Sequence, residues 1–163
     1  MIMSVCTGLD ISQLKHEIIA PTLQAIALDG PAAVNLVTGI ALAESRAAYL
    51  RQFNGPALGL WQMEPATHDD CWTNFLNSTA QSVLRGRIEG LLSPEPRLTQ
   101  LVSNLRYACA MARVRLFRAP APLPVATDAA ALSAYHKQFY NSVLGAANAG
   151  SNRVLFQAAI DAT

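Results

Sequence analysis

Apolar positions along the chain recur at intervals of three and four, with no sustained period-two alternation, so the pattern predicts helix after helix with strands few or absent. A first helix is predicted from about Ile11 to Leu28, with Leu14, Ile18 and Ile19 on one side and Pro21 bending it. Asp29-Gly30 ends it, and Pro31 opens the next helix at a first-turn position where its missing N–H costs nothing. That second helix is predicted over about Pro31 to Phe53 and is broken by "NGPALG". A short turn, "LWQM", follows. Thr67, after Pro65, is then a suitable N-cap for a helix through Asp69, Asp70 and Leu76. A fourth helix is predicted from Thr79 to Leu92, closed by the two prolines of "SPEP". The segment Leu98 to Phe117 is apolar nearly all round, the pattern of a central buried helix that would form the backbone of the core. "RAPAPLPVATD" reads as an extended surface connector. Thr127 or Asp128 caps a helix through Tyr140, a Gly/Asn loop "NSVLGAANAGSN" follows, and a terminal helix holds Val154, Leu155 and Ile160. The expected fold class is therefore all-α.

Length and composition turn this list of helices into one domain spanning 1–163. The chain has 163 residues, 52% of them hydrophobic and only 14% charged, which argues for a globular core instead of disorder. The formal net charge is +1 with the charges scattered, so the broad electrostatic field of a nucleic-acid binder is missing and neither nucleic acid nor an anionic membrane is an expected partner. No apolar run approaches the roughly 18 residues of a membrane span. The N-terminus lacks the basic start and apolar run of a secretion signal, so synthesis and folding in a cytoplasm are expected. Cys6, Cys71 and Cys109 are odd in number and widely spaced, and His16, His68 and His136 are equally dispersed. Buried or half-buried thiols, and no metal site, are the expectation.

One charged residue stands out against this background. Glu44 falls at the helical spacing of Val37, Ile40 and Ala41, where a charged side chain is expensive to bury. A carboxyl group held against apolar surface loses hydration, which favours the protonated form needed by a general acid in glycosidic-bond cleavage. The plainer reading is a glutamate at the edge of an apolar stripe, ion-paired with Arg46 or Arg51. The residues that follow, "NGPALGLWQMEPAT", favour the functional reading: glycines that let backbone approach a ligand, an indole able to stack on a sugar, and a glutamine able to donate and accept hydrogen bonds.

The pattern E-S, then G-x-x-x-G-L-W-Q-x-x-P-x-T, resembles the soluble lytic transglycosylases and goose-type lysozymes. In that family the glycine of the G-L-x-Q element lies fifteen positions after the catalytic glutamate, as Gly59 lies after Glu44. Two weaker elements resemble the family as well: "NLRYA", Asn104 to Ala108, and "ALSAYHK", in which Tyr135 would be the active-site tyrosine. Together the motifs fall within about 35–140. More specifically, the stretch from "AAVNLVTGIALAES" through "EPATHDD" resembles small transglycosylase-like proteins of tailed bacteriophages, and the lack of an export signal fits a phage context.

The resemblance implies a single lysozyme-like helical domain that cleaves the β-1,4 bond between N-acetylmuramic acid and N-acetylglucosamine in peptidoglycan, without cofactor or metal. Glu44 would be catalytic, with Tyr135 beside it. Ser45, Gly59, Leu60, Trp61, Gln62, Asn104 and Tyr140 would contribute to binding the glycan strand. Two departures leave alternatives open. His136 stands where the family has asparagine after the tyrosine, so Tyr140-Asn141 offers a second Tyr-Asn pair. Glu64 replaces a methionine; facing the cleft, it would be a second carboxylate able to direct water and make the protein a hydrolysing lysozyme, and facing outward, only an acid at a helix N-terminus. Asp69-Asp70 is read the same local way, Trp72 as core more than sugar platform, and Arg106, Arg113, Arg115 and Arg118 as cations solvating a helix face. The expected location is the virion, acting at the bacterial wall. The alternative is a tail or baseplate component that has kept the fold with little or no cleavage, in which case other virion proteins are partners.

Overall fold

The apolar spacing is expressed as helices throughout a computed structural model that describes residues 8–141 and 149–163; Cys6 and residues 142–148 of the Gly/Asn loop lie outside them. Among the described residues there is no strand, only isolated bridges pairing Leu58 with Arg51 and with Met63. The chain is all-helical.

The first helical path runs through α1 (Ile11–Gln13), a π-helical stretch (Leu14–Ile19) and α2 (Ala20–Ala25). The wide turn ends where Ala20 N–H reaches back five residues to the carbonyl of Lys15, immediately before Pro21. Proline has no N–H to continue a normal ladder and its ring crowds the carbonyl four residues earlier, so loosening the preceding turn keeps the path helical through it.

Helix α3 (Pro31–Ser45) starts as predicted, with Pro31 in the first turn, but ends eight residues before Phe53. Arg46 and Ala47 both adopt left-handed backbone, at φ 54° and 52°, and their N–H groups return to the carbonyls of Leu42 and Ala41. These paired bonds close the helix without a glycine. Residues 46–63 are consequently a loop, not helix.

Beyond that loop lie α4 (Pro65–Cys71), a π-helical turn (Trp72–Leu76), a 3₁₀ turn (Thr79–Gln81) and α5 (Ser82–Glu89). Helix α4 begins at Pro65 with Glu64 at the N-cap, three residues before the Thr67 cap that sequence suggested. The long apolar segment is two helices, α6 (Arg97–Ser103) and α7 (Leu105–Phe117). Asn104 breaks it at extended backbone angles: its side chain accepts from Tyr107 N–H at 3.0 Å and so caps α7. Helix α8 (Ala129–Phe139) is capped by Asp128, which accepts from Ala131 N–H, and α9 (Ala149–Asp161) ends the fold.

Helix α3 forms the axis. Helices α7 and α8 and the first helical path lie against it, and α9 packs on both α3 and α8. The close approach of α3 and α9 depends on Gly39, where an added Cβ would lie 2.2 Å from the ring of Phe156. Filling that notch removes Phe156 entirely from water, worth about 2–3 kcal/mol of transfer free energy. Lys15 secures the far end of α9, its ammonium donating to the carbonyls of Ala159 (2.7 Å) and Ala162 (2.9 Å) and, at 3.3 Å, Ile160. Ser12 also donates to the Thr163 carbonyl. This arrangement sets α8 and α9 behind the last turn of α3, where Glu44 lies.

Candidate functional site

Glu44 is one residue from the end of α3, its side chain 18% exposed. The ion-pair partners suggested by local spacing, Arg46 and Arg51, are not the ones the fold supplies. Instead His136 of α8, 92 residues away, places Nε2 2.6 Å from Glu44 Oε1, and Asn141 Nδ2 makes a long contact of 3.5 Å to the same oxygen. The His136 side chain is 1% exposed. Its ring lies 6.0 Å from that of Tyr140 and 5.6 Å from that of Phe156. Among the described residues its Nδ1 has no hydrogen-bond partner. With its hydrogen on Nε2 the ring donates to Oε1, which can accept whether or not the other carboxyl oxygen carries a proton, and leaving Nδ1 bare avoids burying an N–H with no acceptor.

In front of the carboxyl is an open groove of about 470 Å³ lined by Glu44, Tyr49, Arg51, Gln52, Phe53 and Gln62. Phe53 is 92% exposed and Tyr49 62%, so two aromatic faces stand at the groove beside amide and guanidinium groups. Gln62 sits on left-handed backbone (φ 45°), and its amide donates to the Gly59 carbonyl at 2.8 Å. The loop carrying these groups is closed by backbone hydrogen bonds: Leu58 and Met63 exchange both of theirs, and Gly59 N–H donates to Leu50 C=O at 2.8 Å. Ser45, buried next to Glu44, donates to Leu60 C=O at 2.7 Å and fastens the loop to α3.

Several residues read as sugar contacts have structural tasks instead. Trp61 is 1% exposed and donates its indole N–H to Val37 C=O at 2.9 Å, so it is a core residue anchoring the loop to α3 and no sugar platform. Leu60 is buried beside it. Gly59 does not face the groove with open space: a Cβ there would lie 2.1 Å from the carbonyl oxygen of Leu101, so the glycine lets the loop touch the backbone of α6. Asn104 is taken up by its capping bond and by donation to Leu91 C=O at 2.8 Å. The hydroxyl of Tyr135 donates to Ala121 C=O at 2.9 Å, tying α8 to the proline-rich connector, and the neighbour that meets Glu44 is His136. Tyr140 is buried and donates to Trp61 C=O at 2.7 Å, with burial driving its phenol far above its ordinary range and Arg115 stacked 4.5 Å over its ring. Glu64 is exposed at the N-cap of α4 and is not among the groove-lining residues. Arg113 is not a solvating cation; it is buried and donates to Leu28 C=O at 3.0 Å.

A second polar cluster lies under α4. Trp72 Nε1 donates to the Tyr107 hydroxyl at 2.9 Å, that hydroxyl is 2.7 Å from His68 Nε2, and His68 Nδ1 is 2.9 Å from Asp69. Because indole only donates, the Tyr107 oxygen accepts from it, and its proton points at His68; the imidazole then carries its hydrogen on Nδ1, towards Asp69. Burial pushes the Tyr107 phenol up to about 12 and holds His68 below its usual range, which keeps both neutral. This network fixes α4 against α7 and is structural. Asp70 is paired with Arg118 at 2.6 Å.

The residues that sequence reasoning missed are Tyr49, Gln52 and Phe53, which it assigned to helix, and His136 as a partner. The signal for His136 was its place four residues after Leu132, on the apolar face of its helix. Among the described residues no group of three or more His, Cys, Asp or Glu side chains is placed to hold a metal ion, and no helix is long and apolar enough to cross a membrane. Cys71 and Cys109 are buried free thiols, both shifted upward by burial. No family model, curated protein or solved structure matches the chain.

Proposed function

We propose that this chain is a lysozyme-like, peptidoglycan-cleaving protein of a tailed bacteriophage, acting at the bacterial wall from the virion and breaking the β-1,4 bond between N-acetylmuramic acid and N-acetylglucosamine. The observation that carries this reading is the pairing of one partly exposed carboxyl, Glu44, held by a buried histidine, with an open groove that offers both aromatic faces and amide groups. Sugars combine apolar ring faces with many hydroxyls, and such a lining matches both.

In this mechanism Glu44 protonates the glycosidic oxygen as the bond to C1 breaks. The carboxylate so formed then accepts the proton of the muramyl C6 hydroxyl, whose oxygen bonds to C1. The products are a new N-acetylglucosamine end and a 1,6-anhydro end, with no net gain or loss of protons. Tyr49 and Phe53 stack on the sugars flanking the bond, and Gln52 and Gln62 orient their hydroxyl and acetamido groups. Glu64, exposed at the N-cap of α4, is not a lining residue, and this favours the single-carboxylate route over a water-directing second acid. The virion-component alternative draws on exposed apolar residues such as Val125 in the proline-rich connector; scattered exposed valines are ordinary on any surface, so cleavage is preferred. A zymogram with purified wall tests the reading: the parent clears it, and Glu44→Gln, nearly isosteric but unable to give up a proton, does not. Equal clearing by the variant refutes it.

A further inference from the structure

The ring of His136 is held from three sides. Helix α8 carries it, Tyr140 follows one turn later, and Phe156 of α9 presses on it from the notch that Gly39 leaves in α3. A side chain so confined cannot choose among rotamers, so the 2.6 Å contact of Nε2 with Glu44 Oε1 is imposed by the packing of three helices. Asn141 approaches the same oxygen at 3.5 Å. Both donors contributed by the described residues therefore converge on Oε1, while the carboxyl as a whole remains partly open to the groove.

We infer that His136 is a positioning residue that divides the labour of the two Glu44 oxygens: its N–H occupies Oε1 and fixes the carboxyl plane, so that Oε2 carries the proton exchanged with the substrate. The inference rests on the glycosidase reading of the groove, and goes beyond it by naming what aims the acid. Without the imidazole the carboxyl turns about its terminal torsion, which has broad wells. The proton is then presented from the wrong oxygen or at the wrong angle. Ground-state sugar binding, made by the aromatic and amide groups of the 46–63 loop, is untouched. Misplacement of a reacting group by about 1 Å is enough to lower a rate roughly 100-fold.

The test compares the parent with His136→Leu, which removes the donor at similar bulk, His136→Gln, whose side-chain amide restores a donor at similar reach, and Glu44→Gln. Each is assayed for kcat and KM on soluble, uncrosslinked peptidoglycan strands. The expected result is a kcat lowered about 100-fold in His136→Leu with KM within about threefold of the parent, and at least a tenfold recovery in His136→Gln. Parent-like kcat in His136→Leu, a loss confined to KM, or equal loss in both histidine variants overturns the inference while an inert Glu44→Gln leaves the glycosidase reading standing. An active Glu44→Gln overturns that reading itself. Long-range ¹H–¹⁵N correlation spectra of the parent judge the pair without any activity: a His136 ring carrying a hydrogen on Nε2 is expected in the folded chain, and a ring whose only hydrogen is on Nδ1 overturns the inference even where no wall is cleaved.

Discussion

Substituting Gly59 by alanine separates the two views of the loop most cleanly, because the family resemblance places this glycine beside the sugar while the fold places it against α6. Its backbone is left-handed at φ 76°, and an added Cβ would come within 2.1 Å of the Leu101 carbonyl oxygen and 3.1 Å of its carbon. Left-handed backbone costs a residue with a Cβ about 1–2 kcal/mol. Relieving a clash with backbone that cannot rotate away adds about 1–3 kcal/mol of overpacking strain. The expected loss is therefore about 2–5 kcal/mol, a large share of the roughly 5–15 kcal/mol that holds a domain together. With a urea slope of about 2 kcal/mol/M, the unfolding midpoint falls by about 1–2.5 M. Gly86 of α5 supplies the control, since nothing lies within 4 Å of a Cβ there and its backbone is helical; Gly86→Ala should raise stability by about 0.5–1 kcal/mol. Equilibrium urea unfolding followed by circular dichroism gives both values. A Gly59→Ala midpoint within about 0.3 M of the parent's, a loss below about 0.6 kcal/mol at that slope, would refute the close approach of the loop to α6.

Tyr107→Phe strands the indole of Trp72 and Nε2 of His68 together in the core, so a loss of about 2–4 kcal/mol is expected in the same unfolding assay; a loss below 1 kcal/mol would mean that the cluster is solvated. Lys15→Met removes the donor from the carbonyls of Ala159, Ile160 and Ala162, which should cost about 2–4 kcal/mol and speed amide hydrogen exchange in α9 before it does so in α7. Uniform acceleration would contradict a local lock. Burial, opposed by Asp69, holds the His68 imidazole below its usual 6.5; a depressed value means that the unfolded chain takes up the proton first. Its contribution to stability is full above about pH 6.5 and is lost as pH falls through the folded value. His68→Gln should flatten the parent's loss of stability between pH 7 and pH 5, and an unchanged slope would place the titration elsewhere.

The helical class and most helix starts were legible because they follow from local rules: apolar recurrence at three and four, Pro31 in a first turn, Asp128 as a cap. Ends and breaks that depend on tertiary contacts were not. Arg46 and Ala47 turn left-handed although neither is glycine, which no propensity signals. Asn104 is compatible with an uninterrupted helix until its side chain is seen capping Tyr107 N–H. Trp61, set in a Gly/Pro-rich loop, reads in sequence as an indole able to stack on a sugar, and only the fold shows it reaching Val37 across 24 positions. At the site, Glu44 and Gln62 were found by pattern and do line one groove. Tyr49 and Phe53 were hidden by the overlong helix, and the partnership of His136 with Glu44 is a long-range contact that composition and spacing cannot specify.

Mass analysis of glycan fragments released from purified peptidoglycan by the parent chain, with Glu44→Gln alongside, reaches the central claim most directly. One carboxyl serving as acid and then base predicts muramyl products ending in 1,6-anhydro rings from the parent and no fragments from the variant. Fragments with reducing muramyl ends would contradict the single-carboxyl mechanism, and intact wall in both digests would contradict the assignment of the Glu44 groove to glycosidic cleavage.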